Sequence, residues 1–349
     1  MLAALKRSSF TLSRQIGLTS AVAASTWRRN RLMILCYHGV ALNDEHQWNP
    51  GLYVSPETLT RRLEILRRNN CDVLPLGDAL TRLSRGTLPE RAVALTFDDG
   101  YFDFMARALP LLERYNYPAT VYLATLRCEH NAPIVHLFLS YIFWKQRHLT
   151  LDGGGIPGLE GRHSLATPEE REALVTSFVR GAARAGFGAT EKDAAAKDIA
   201  GRLGLDYDAL FDSRVLRLMT PEEVAATAGS LADFQLHTHT HSTPPDVDEF
   251  IADVRKNRAL IEAMTNRPAV HFCYPSGVYR QSYLPALARE GIISATTCDP
   301  GIASRSSNAL LLPRFVDTEF VSDLEFEAWV TGTALWLPRR TRKAHAAVH

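Results

Sequence analysis

The first clear pattern in the chain is Leu32-Met33-Ile34-Leu35-Cys36-Tyr37, six consecutive apolar positions that stop at His38-Gly39. An unbroken run of that length predicts a strand buried on both faces, followed by a turn. Ser55 then stands where an N-cap would and Pro56 at the first helical position, with Leu59, Leu63 and Leu66 recurring at helical spacing. The same order returns at Ala92 to Phe97, a second buried strand. Phe102, Met105, Leu109 and Leu112 follow it at helical spacing, with Pro110 imposing a kink or a late helix start. A third strand is predicted at Thr120 to Ala124. Strand and helix in alternation imply parallel pairing with helices outside, in an α/β barrel or an open sheet.

Between Leu126 and Leu216 the alternation stops. Val135 to Trp144 is strongly apolar and Asp152 to Gly161 is rich in glycine. Thr167-Pro168-Glu169-Glu170 then has the form of a capping box ahead of Ala-rich, charged helices. A helical insertion at about 126–216 is expected, either shaping a substrate cleft or sitting as a satellite cap. Beyond it, Thr220 to Glu223 repeats the capping box and Phe234-Gln235-Leu236 is a short strand. Asp246 to Met264 reads as a helix, Val270 to Tyr274 as a strand stopped by Pro275-Ser276-Gly277, and Tyr283 to Arg289 as a helix. Ser294 to Thr297 is the next strand, and Leu310-Leu311-Leu312 the last. The expected organisation is a basic extension at 1–30, a barrel at 31–335 carrying the insertion, and a basic tail at 336–349.

Composition narrows the function classes. With 349 residues, 46% of them hydrophobic, the chain can bury a substantial core. Lys and Arg number 39 against 38 Asp and Glu, and a formal charge of +1 argues against a nucleic-acid binder. Five widely spaced cysteines without a Cys-x-x-Cys pair suit a reducing, cytoplasmic setting. The first 31 residues carry six basic and no acidic side chains. They can be read as a poor secretory signal, as a helix making peripheral contact with an anionic membrane, or as a solvated extension packed on the domain. No run approaches the ~20 apolar residues of a membrane span.

The chemistry concentrates at Thr96-Phe97-Asp98-Asp99-Gly100-Tyr101 and at His237-Thr238-His239-Thr240-His241. Adjacent carboxylates repel each other, so a pair at a buried strand end calls for a shared cation and distant ligands. His237 and His241, with Asp99, would supply two imidazoles and one carboxylate, a set suited to zinc, iron, cobalt or nickel with positions left open. His239 would point away.

These two motifs together resemble the polysaccharide deacetylase family, also called the NodB homology domain, over roughly Arg31 to Asp317 outside the insertion. The resemblance implies a distorted (β/α) barrel and metal-dependent removal of N-acetyl groups from an acetylated glycan. It assigns Asp98 as catalytic base, Asp99, His237 and His241 as metal ligands, most simply of Zn2+, and the Tyr101 backbone N–H as an oxyanion donor.

Two departures from the commonest family pattern matter. A late Leu-x-His motif is replaced by Leu312-Pro313-Arg314, and Cys273 stands where an arginine is usual. Both resemble the poly-N-acetylglucosamine deacetylase subgroup, in which an early Tyr-His motif places the general acid; Tyr37-His38 matches it. Tyr274 and Pro275 are expected to line the cleft against a sugar ring, and Arg314 to orient Asp98 or bind a substrate oxygen. Two other functions remain compatible with the sequence: a deformylase or deacetylase of a lipid-linked sugar, and a catalytically silent carbohydrate-binding protein.

Overall fold

Apolar runs become adjacent strands in the computed structural model, which describes residues 10–12, 15–131, 133–229 and 231–336. The strands are β1 (Arg31–Tyr37), β2 (Gly39–Val40), β3 (Tyr53–Val54), β4 (Asp72–Val73), β5 (Ala92–Asp99), β6 (Ala119–Leu123) and β7 (Thr150–Asp152). They continue with β8 (Arg162–Ser164), β9 (Ala232–Leu236), β10 (His271–Cys273), β11 (Ser294–Thr296), β12 (Ala303–Ser304) and β13 (Phe315–Val316). The main sheet runs β11-β10-β9-β6-β5-β1-β12, with β4 on β5 and β13 on β1. Every pairing in it is parallel except that of β12 with β1. The sheet curls into a distorted (β/α) barrel.

Alternation along the strands sorts the side chains. Met33, Leu35 and Tyr37 of β1 and Val93, Leu95 and Phe97 of β5 join the large core beneath the outer helices, where Leu59, Leu63 and Leu66 of the helix Pro56–Arg68 also pack. Leu32 and Ile34, with Ala92 and Ala94, form a smaller cluster with Tyr122, Cys273 and Leu312. Asp98 continues the second series.

The seam of the barrel is closed by one short segment. Leu312 makes a parallel bridge to Thr296 at the β11 edge, and Phe315 and Val316 pair with Leu35 and Cys36 of β1. Leu310 to Leu312 is therefore not the last strand: only Leu312 pairs, and the strand proper comes after Pro313, whose missing N–H interrupts the ladder. Arg314 lies between the two pairings.

The predicted helix caps are present. Ser55 accepts from the Thr58 N–H, and Thr167 and Thr220 each form a complete capping box. Pro110 falls in the first turn of Leu109–Tyr115, preceded by a π-helical turn at Phe104–Ala108, so the helix starts late. The inserted region folds as helices Val135–Lys145, Pro168–Arg184 and Ala189–Arg202 around a core of its own that includes Phe138, Ile142, Phe178 and Ile199. Its glycine-rich stretch is closed by the β7–β8 hairpin, which no alternation in the sequence announced.

Part of the basic extension (1–9 and 13–14, with Lys6, Arg7 and Arg14) and the tail at 337–349 lie outside the described residues. What is described of the extension packs on the barrel. Arg28 is fully enclosed and donates to the carbonyls of Val330, Arg31 and Ala92. Among the described residues no helix is long and apolar enough to cross a membrane.

One buried histidine makes the fold sensitive to acid. His271 on β10 is 5% exposed, with Nδ1 2.8 Å from Ser294 Oγ, and burial pushes its pKa down to about 4. The unfolded chain therefore binds this proton first. Stability present at neutral pH is lost as pH falls from about 6.5 toward 4, by about 3 kcal/mol from this group. Urea unfolding near pH 7 and near pH 4.5 should show His271→Gln losing less stability over that interval than the unaltered protein; equal losses would contradict it.

Candidate active site

Strand register alone brings the chemistry to one level at the carboxyl ends of the barrel. Tyr37 pairs with Phe97, Asp99 with Leu123, Leu123 with Leu236, and Leu236 with Phe272. His38, Asp98, Asp99, His237 and Cys273 therefore emerge side by side at the end where such barrels carry their chemistry. Strict alternation would send the two carboxylates to opposite faces, but Asp99 adopts φ +69° and leaves the strand geometry. Thr238, His241 and Ser276, close by, also have positive φ.

Asp98 is 2% exposed and held by both guanidinium arms of Arg314, Nη1 to Oδ1 and Nη2 to Oδ2, each at 2.7 Å. Arg314 is fully buried and also donates to Thr297 O at 2.9 Å, Thr96 Oγ1 at 3.1 Å and Cys273 Sγ at 3.0 Å. Burial would raise the Asp98 pKa, but Arg314 outweighs it and holds the carboxyl well below the usual range. Arg314 is thus an orienter of Asp98. Enclosed and with its donors engaged, it does not present itself to a substrate oxygen.

Asp99 meets the histidines. His237 Nε2 lies 3.2 Å and His241 Nε2 3.1 Å from Asp99 Oδ1, a buried oxygen that accepts no hydrogen bond. His237 Nδ1 is 2.9 Å from the Cys273 carbonyl. A carbonyl only accepts, so Nδ1 carries the proton and the Nε2 lone pair of the neutral ring faces Asp99. Acceptors thus converge on one point, a geometry that an imidazolium proton or a cation can satisfy and neutral groups cannot. Two imidazoles and a carboxylate, with His241 partly open to the cleft, fit a divalent first-row metal. Two other groups, Cys36-His38-Asp98 and Asp98-His237-Cys273, have similar spacing. Both need Asp98, whose oxygens are engaged by Arg314, and burial pushes the Cys36 and Cys273 thiols far up, keeping them protonated.

His38 Nε2 stands 3.8 Å from Asp98 Oδ2. Burial lowers its pKa against the pull of Asp98 and Asp99, so the ring is neutral at neutral pH. Tyr101 bridges to Leu218, and the ladder bonds fall on either side of it: Phe102 N–H to Arg217 O, and Met219 N–H to Gly100 O. The Tyr101 N–H lies outside that ladder. His239 turns aside as expected, its Nδ1 3.0 Å from Thr125 Oγ1.

Two expected cleft residues are not there. Tyr274 is fully enclosed among Phe272 and Tyr279, with its hydroxyl donating to Leu310 O, and Pro275 is buried beside it. The strand stops at Cys273, the following turn tucks both into the core, and Ser276 lines the cleft in their place. The cleft, about 400 Å³, is also walled by Leu126, Ile134, His136 and Leu137. The insertion is therefore a cleft wall.

Sequence reasoning missed Asp253 and Asn257, four apart on the inner face of helix Val247–Thr265. Asn257 accepts from the His237 N–H and donates to Leu123 O and Thr125 Oγ1, and Asp253 accepts from the His239 N–H. Together they hold the histidine loop. Their signal was a polar residue at i+3 from Val254 and i+4 from Asp253, on a stripe otherwise made of Phe250, Val254 and Ile261.

Residues 85–147 and 163–293, more than half of the chain, match the family model described as polysaccharide deacetylase. The chain belongs to the polysaccharide deacetylase family. A 102-residue stretch is 32% identical to the poly-β-1,6-N-acetyl-D-glucosamine N-deacetylase of Escherichia coli K12, covering 29% of this chain and 15% of that protein. The chain thus matches only a small part of that longer relative. Among solved structures it is similar to the Streptococcus pyogenes deacetylase PplD in complex with acetate (TM-score 0.54, 20% identity, 84% of this chain and 96% of that one). It is also similar to IcaB from Ammonifex degensii (TM-score 0.55, 16% identity, 86% and 97%). At these identities the likeness is one of fold.

Removing one partner of the Asp98–Arg314 pair should be costly. Arg314→Met leaves a buried carboxylate uncompensated and should destabilise the protein by about 3–5 kcal/mol. Adding Asp98→Asn to that variant should restore part of the loss. Chemical denaturation of the single and double variants checks this, and a strictly additive pair would count against the coupling.

Proposed function

We propose that this deacetylase removes N-acetyl groups from N-acetylglucosamine units of a polysaccharide or oligosaccharide, with a divalent cation held by Asp99, His237 and His241. The observation that carries the reading is the convergence of those three residues on one unsatisfied carboxylate oxygen, next to a second carboxylate whose oxygens are fixed elsewhere. The similarity to the E. coli relative supports the sugar. When bound, the cation supplies the Lewis acid that polarises the amide carbonyl and acidifies water.

The chain's residues divide the remaining work. Arg314 keeps Asp98 ionised, which also makes it a weak base, so Asp98 can take a proton only from a water already made acidic. The Tyr101 N–H stabilises the oxygen on which negative charge develops. His38, neutral at rest and 3.8 Å from Asp98, picks up the proton that Asp98 accepts and delivers it to the leaving amine.

Acetate release from acetylated glucosamine oligosaccharides tests this. Asp98→Asn and His38→Ala should each lower kcat by about 10²–10⁴-fold. A chelator should abolish turnover, and zinc, cobalt, nickel or iron should restore it. Full activity in His38→Ala would remove that residue from proton transfer; full activity in Asp98→Asn would overturn the mechanism.

A further inference from the structure

The cleft continues past the barrel mouth. His136 and Leu137, which wall it on the insertion side, also line a second hollow of about 330 Å³ between the helices Val135–Lys145 and Pro168–Arg184 and the short helix Glu45–Trp48. A line of aromatic rings joins the two. Tyr101, at the candidate site, lies 5.7 Å from Tyr53, Tyr53 lies 6.1 Å from Trp48, Trp48 lies 5.4 Å from Tyr141, and Tyr141 lies 6.0 Å from Trp144. The tyrosines are buried, whereas Trp48 and Trp144 are half-buried and reach the second hollow. Buried rings thus back a partly open indole surface.

The polar groups in this hollow suit hydroxyls. Asn49, Ser140 and Glu172 line it beside the indoles. Ser140 Oγ accepts from Trp48 Nε1 at 3.3 Å, which leaves its own O–H to donate. Arg171 is committed elsewhere, bonding the carbonyls of Leu165 and Ala166. Indole surface beside hydrogen-bonding groups, the Glu172 carboxylate among them, is what a pyranose needs, with its apolar C–H face against the ring and its hydroxyls to the sides. His136 also borders a third hollow, of about 280 Å³, but no indole lines that one.

We propose that the Trp48–Trp144 hollow on the insertion is a second glycan subsite, which binds a neighbouring sugar of the same chain while one unit occupies the candidate active site. The inference rests on the deacetylase reading for its ligand, and it makes the insertion the element that selects a polymer over a single sugar.

Tryptophan fluorescence titration of the full chain with N-acetylglucosamine and with its β-1,6-linked pentamer, run beside acetate release from each, tests the subsite separately from the chemistry. The pentamer should bind about tenfold more tightly than the monosaccharide, the worth of one stacked ring with its burial. Trp144→Ala should remove that advantage and leave monosaccharide binding unchanged. Thr176→Trp, on an exposed helix position lining the hollow, should do the same by filling it, and decides the matter if the truncated indole fails to fold. Equal affinities for the two sugars, or a pentamer advantage that survives both substitutions, would overturn the subsite. Acetate release without any chain-length dependence would sink the subsite and leave the deacetylase standing. Pentamer binding that depends on Trp144 without acetate release from either sugar would do the reverse.

Discussion

Two carboxylates on consecutive residues, enclosed at the end of β5, repel each other by a few kcal/mol, and this fold neutralises them separately. Most of what is distinctive in this barrel follows from giving each its own partner. Asp98 keeps to the inner series of its strand and meets Arg314. Asp99 breaks the series through a left-handed backbone and meets two histidines. Arg314 can reach Asp98 because it sits in the segment that closes the seam between β11 and β1. Closure of the barrel and ionisation of the base thus depend on the same few residues.

The ring of supports has the same logic. The Cys273 thiol accepts from Arg314 and donates toward Asp98 at 3.6 Å, so it supports both members of the ion pair. Its backbone carbonyl meanwhile sets the tautomer of His237. From the other side, helix Val247–Thr265 supplies Asp253 and Asn257 to backbone groups that the histidine loop would otherwise leave unpaired.

Much of this was legible before the fold was known, because long apolar runs, proline-led helix starts and capping boxes are local signals. The buried runs at Leu32 and Ala92, the caps at Ser55, Thr167 and Thr220, and the grouping of Asp98, Asp99, His237 and His241 follow from residue types and spacing. What was not legible is non-local. The pairing of Phe315 and Val316 with β1, rather than Leu310 to Leu312 forming the last strand, depends on which strand edge is left open. The enclosure of Tyr274 depends on how the turn after β10 carries the chain inward, and an aromatic before Pro275 reads the same in a core as in a cleft. The short helices Leu18–Ala23 and Thr26–Arg29 draw their stability from contacts such as those of Arg28, with little amphipathic pattern of their own. The insertion was recognisable as helical, but its place as a cleft wall came only from its packing.

The division of labour between the two aspartates would be seen directly in a crystal structure of the protein with zinc or cobalt bound, the ion located by anomalous scattering. One ion should lie at about 2.0–2.2 Å from Asp99 oxygen and from His237 and His241 nitrogen, with Asp98 still gripped by Arg314. An ion bound instead to Asp98 with Cys36 and His38, or with His237 and Cys273, would contradict that division.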